Sequence, residues 1–163
     1  MSESTHTHQV VVPYPLEAVW EALGHAADLD LAGGQEVVER VSAAEWTVAL
    51  DEHHATHCTA AYDAAAHRMD VTMDSTAKHE DDTTSIILAP VDAGTEVTVE
   101  QTVRGNFVVM KMLQFVGAGA LDKVADSIIS NIEALCSGGE TRRMSADDLD
   151  EYAKERVAGW KKD

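Results

Sequence analysis

Residues 51–58, "DEHHATHC", hold the densest run of metal- and proton-active side chains in the chain. Three histidines and a cysteine are the donor types that zinc takes, but zinc needs its ligands to converge. In an extended segment successive side chains point to opposite faces. His57 and Cys58 therefore diverge, with Cys58 turned inward, and His53 and His54 fall at a turn. No metal is expected there. His6 and His8 share one face of a strand and are expected on a solvated edge. The pair best suited to proton transfer is Tyr62 with His67, a phenol and an imidazole predicted to face each other across one hairpin; these are the candidate catalytic residues. Arg40, Arg68 and Arg104 fall on or near outward positions. The chain carries no G-x-S-x-G, P-loop, dinucleotide fingerprint or H-E-x-x-H, so no cofactor is expected. Cys58 and Cys136 form no C-x-x-C unit and read as two reduced thiols.

These side chains must be held by the elements around them. Residues 6–12 read as a β-branched strand, ended by Pro13 and Pro15 because proline cannot donate to a sheet ladder. Pro15 suits the first position of a helix, Glu17 its positive end, and Leu16, Val19, Trp20 and Leu23 line one helical face. Gly24 ends this helix, and a further helical turn at about 26–32 stops at Gly33-Gly34. Alternating segments then follow at 35–42, 45–52, 55–62, 67–75, 83–90 and 95–103. Such period-two patterning predicts antiparallel strands with one buried face. A turn at 91–94 pairs Leu88 with Val97 and Ile86 with Val99. A turn at 63–66 pairs Ala60 with Met69 and Cys58 with Val71. A turn near 53–55 pairs Leu50 with Cys58, Val48 with Ala60 and Trp46 with Tyr62. Each register keeps the apolar side chains on one face, and a one-residue slip would not. After "RGN" the period becomes helical over 107–136, with Met110, Leu113, Leu121, Val124, Ile128, Ile132 and Leu135 as the stripe, Gly117 and Gly119 inside, and Gly138-Gly139 as the stop.

The 163 residues, 45% of them apolar, suit one packed domain. We read 1–137 as that domain and 138–163 as a linker followed by an amphipathic helix, opened by Ser145 and Asp148 and able to engage a protein partner. The net charge is −17, with the acidic excess confined to residues 1–140, which disfavours nucleic acid and anionic membranes as partners. No apolar run reaches the ~18–20 residues of a membrane span. The N-terminus lacks the pattern of a signal peptide, so a soluble, cytoplasmic protein is expected.

Three stretches, "VVPYPLEAVWEAL", "LAPVDAGTEVTVEQTVRGN" and the closing helix, resemble the START/Bet v 1-like (SRPBCC) helix-grip superfamily, in particular its polyketide cyclase/dehydrase-like or CoxG-like branch. The resemblance spans roughly residues 6–137. It implies an α+β fold: a curved seven-stranded antiparallel sheet with two short helices and a long C-terminal helix over a hydrophobic cavity. The residues expected to face such a cavity are Trp46, Val48, Tyr62, Met69, Val71, Met73, Ile86, Leu88, Val97, Val99, Gln101 and Val103 from the sheet, with Met110, Leu113 and Leu121 from the helix. The implied function is binding or transport of a small hydrophobic molecule of lipid, quinone or polyketide type. The alternatives are a polyketide cyclase or aromatase working through Tyr62 and His67, and a cochaperone-like interaction module.

Overall fold

Alternating polar and β-branched side chains make Ser2–Val12 the first strand, β1. It starts earlier than the 6–12 predicted, because its pairing with the last strand runs from Val12 back to Ser2. The computed structural model describes residues 2–34, 36–49, 52–75, 81–105 and 118–144. After Pro13 the chain leaves the sheet and forms α1, Leu16–Ala22, with Pro15 standing at its N-cap, not inside its first turn. The helix does not stop at Gly24. It tightens into a 3-10 segment, Leu23–Asp28, kinked at His25. Six further strands follow: β2 Glu36–Ser42, β3 Glu45–Ala49, β4 Ala55–Asp63, β5 Arg68–Ser75, β6 Asp82–Val91 and β7 Gly94–Gly105. The closing helix, α2, is Ala118–Cys136. The first part of the predicted 107–136 helix, with Met110, Leu113 and Gly117, lies outside the described residues, as do the predicted strand residue Leu50 and the predicted tail helix.

The seven strands form one antiparallel sheet in the order β1-β7-β6-β5-β4-β3-β2. Its curvature brings α1 and α2 onto one face. The β6–β7 register is the one predicted, with Leu88 opposite Val97 and Ile86 opposite Val99. Two other predicted registers need correction. Ala60 faces Val71 and Cys58 faces Met73, two residues away from the predicted partners. The β4–β5 turn ends on His67, whose φ of 49° places it in the left-handed region. Trp46 faces Cys58 and Val48 faces Thr56, four residues away from the prediction. Both displacements are even numbers, so every side chain keeps its predicted face.

That face is the core. Met69, Val71, Ile86, Val97 and Val99 are fully buried, together with Val12, Val19, Leu23 and Leu29 from the opening segment and Ile128 and Ile132 from α2. The described part of α2 packs on α1, β1 and β7. The opening prolines acquire a physical reason here. Gly94, at φ 142°, lies so close under Val12 and Pro13 that no side chain fits there. Beside it, the Thr95 hydroxyl donates to the Tyr14 carbonyl at 2.8 Å. The β6–β7 hairpin thus tucks under the point where the chain leaves β1. α2 ends in a Schellman-type cap: Gly138 has φ 77° and the Gly139 N–H donates to the Ala134 carbonyl at 2.7 Å. Among the described residues no helix is long and apolar enough to cross a membrane.

Candidate functional site

The segment after the 3-10 turn is built around Asp30, which adopts a φ of 58°. Its Oδ1 accepts the Gly34 N–H and its Oδ2 accepts the Met144 N–H, both at 2.8 Å. One carboxylate therefore fixes the 30–34 turn and pins the chain that returns after α2. Burial pushes the Asp30 carboxyl above the usual range, opposed by the Met144 and Gly34 N–H groups and by Arg143. Asn131, buried in α2, makes a second clamp. Its amide donates to the carbonyls of Leu29 at 3.1 Å and Arg142 at 3.0 Å, and its oxygen accepts the Arg142 N–H at 2.7 Å. The stretch read as the start of a linker is thus docked as far as Met144, itself 8% exposed.

Between this docked strap, the 27–32 segment and the β2–β3 end of the sheet lies a cleft of about 300 Å³. Leu31, Ala32, Val37, Trp46 and Val48 give it apolar walls, joined by Ala27, while Asp28, Asp30, Arg40, Thr141 and Arg143 supply its polar atoms. The Arg40 guanidinium sits 2.6 Å from the Asp28 carboxylate.

The predicted cavity residues separate into groups. Trp46 and Val48 reach the cleft. Met69, Val71, Ile86, Leu88, Val97 and Val99 are in the packed core, with Met73 half-buried against it. Gln101 is 5% exposed and its amide donates to the Leu121 carbonyl at 2.9 Å, tying β7 to the first turn of α2. Val103 and Leu121 are half-buried. Met110 and Leu113 lie outside the described residues.

Tyr62 and His67 meet on a shared neighbour. Trp20 stands edge-on to both, with ring centroids 6.0 Å from Tyr62 and 5.6 Å from His67. The Tyr62 hydroxyl donates to the Leu23 carbonyl at 2.7 Å, where α1 gives way to the 3-10 turn. Partial burial raises the phenol above its ordinary value. This geometry gives Tyr62 a structural task, that of tying β4 to the junction of α1 and the 3-10 turn.

The histidines of β1 are not on a solvated edge, contrary to expectation. α2 lies across their face of the strand. His6 Nε2 is 2.6 Å from Asp122 Oδ1, and His8 Nε2 is 2.8 Å from Asp126 Oδ1. The signal was present as matched periods: i, i+2 in a strand against i, i+4 in a helix. His57 lies outward, 3.0 Å from Glu45, whereas Cys58 is buried and its thiol is pushed up to about 12 by desolvation. Arg68 and Arg104 are also outward, paired with Asp70 and Glu3. The cleft residues missed from sequence were those of the 27–32 turn, Val37 and Arg40 of β2, and the strap. Their one signal was Gly33-Gly34, whose positive φ values of 72° and 90° let the chain pass close under Val124 and Met144.

No family model matches the sequence, and no curated protein matches it. Solved structures do. CV1439 from Chromobacterium violaceum is similar with a TM-score of 0.57 and 17% identity, over 81% of this chain and 96% of its own. Ara h 8.0201 aligns with a TM-score of 0.54 and 16% identity, over 85% of this chain and all of its own (100%). CalU16 from Micromonospora echinospora aligns with a TM-score of 0.54 and 15% identity, over 96% of this chain and 85% of its own. Likeness at these identities is a likeness of fold. With its curved seven-stranded sheet, two helical turns after the first strand and a closing helix gripped against β1 and β7, the chain has the START/Bet v 1-like helix-grip fold.

Proposed function

We propose that the chain binds a small, largely hydrophobic molecule and carries it without transforming it, and that the cleft at Trp46 and Val48 is where the molecule sits. The observation that supports this is the cleft itself: about 300 Å³, lined by an indole and aliphatic side chains together with Asp28, Asp30, Arg40, Thr141 and Arg143. Ligand sites combine apolar walls with polar groups that orient the guest, and their volumes begin at about this size. The walls rest on the sheet on one side and on a strap held by Asp30 and Asn131 on the other, so the site is formed before any ligand arrives. Carriage fits better than catalysis because the candidate acid–base phenol, Tyr62, is already committed to the Leu23 carbonyl.

The test is a titration with dansylamide, a neutral apolar fluorophore that brightens when it leaves water. The expected result is saturable enhancement that drops at least about tenfold in affinity in Ala32→Trp, where an indole fills a half-buried wall of the cleft. Far-UV circular dichroism of the variant establishes that the fold persists. Absence of saturable binding, or equal binding by the Ala32→Trp protein, would refute the reading.

A further inference from the structure

The molecule is strongly acidic, at −17 overall, yet the cleft contains two of its few cations. The two carboxylates there are already occupied. Asp28 is paired with Arg40 at 2.6 Å, and both oxygens of Asp30 accept backbone N–H groups, from Gly34 and Met144. The strap places Arg143 on the cleft wall, exposed and attracted to Asp30 through space. The same Arg143 also borders a neighbouring hollow of about 320 Å³, which Lys123 and Arg142 line as well. Arg143 thus stands on the strap side of the cleft, while Trp46 and Val48 come from the sheet. A wholly apolar guest would use those two side chains and leave the guanidinium unused. A cationic guest would compete with Arg40 for Asp28 and with two backbone N–H groups for Asp30.

Resting on the reading above, we infer that the cleft's ligand is an amphipathic anion: a flat apolar body against Trp46 and Val48, and one oxyanion, a carboxylate or phosphate, at Arg143. A planar guanidinium matches the two oxygens of such a group, and charge-assisted hydrogen bonds are the strong ones. The net charge of −17 makes this a selective arrangement, since the chain as a whole repels anions and Arg143 supplies a local attraction.

The experiment compares dansylglycine with dansylamide, which share the fluorophore and differ by an ionised carboxymethyl group, in the full chain and in Arg143→Gln. The full chain should prefer dansylglycine by about tenfold, the ratio that one charge-assisted hydrogen bond supplies. The Arg143→Gln protein should bind the two probes equally, and added salt should erode the preference in the full chain. Equal affinity for the two probes, or a preference that survives Arg143→Gln, overturns the inference while dansylamide binding leaves the carrier reading standing. Failure of dansylamide itself to bind overturns both.

Discussion

A thiol reports its surroundings through its willingness to ionise, and the two cysteines differ in this. Cys58 is 1% exposed between β3 and β5, and desolvation pushes its thiol up to about 12. Cys136 is half-buried near the end of α2. Burial raises its thiol too, aided by Glu133 and Glu21. Thiolate is the reacting species, so a raised value means less of it at a given pH. At pH 8 a disulfide reagent such as DTNB should titrate one thiol per native chain, that of Cys136, with Cys58 reacting only once denaturant is added. Fast reaction of both thiols in the native state would contradict the placement of Cys58. Its inward direction was legible from the alternation of "ATHCTAAY" alone. The tasks of His6, His8 and Tyr62 were not, because each depends on a partner more than 35 residues away in sequence: Asp122, Asp126 and Leu23.

Elements show the same division. Strand existence and face were readable because a two-residue period has one physical meaning on a half-buried sheet. Registers of β3–β4 and β4–β5 were not, because even-numbered slips keep every apolar side chain inward and hydrophobic pattern cannot tell them apart. The choice falls to the turns, and at β4–β5 it goes with His67 in a left-handed conformation. The strap after α2 was legible only as a helix stop at Gly138-Gly139. What docks it is Asn131, a polar residue on the buried side of α2, which holds a carbonyl from Leu29 and both backbone groups of Arg142. Asn131→Ala removes all three bonds and strands buried backbone groups at about 1–3 kcal/mol each before relaxation. The expected loss is about 2–4 kcal/mol in chemical denaturation, together with weaker dansylamide binding, since the strap is a wall of the cleft. A variant as stable as the parent would show that the strap is not held this way.

At the scale of the whole molecule, three segments far apart in sequence build one cleft. The 27–32 turn follows α1, Val37 to Val48 come from the edge of the sheet, and Thr141 and Arg143 come from the strap. Local patterning identified the fold because each element carries its own periodicity. It named only two of the cleft's walls, Trp46 and Val48: those of the 27–32 turn and the strap stand on irregular backbone whose path is set by Asp30, Gly33 and Gly34, and Val37 and Arg40 lie on the edge strand β2. The central claim is that an apolar guest enters here and not at the aromatic cluster of Trp20, Tyr62 and His67. Indole N–H resonances separate the two places in one measurement, the 1H–15N spectrum of the chain titrated with dansylamide. The account predicts that the Trp46 indole signal moves progressively to saturation while that of Trp20 stays in place. Saturation with Trp46 unmoved, or a shift of Trp20 alone, would contradict it.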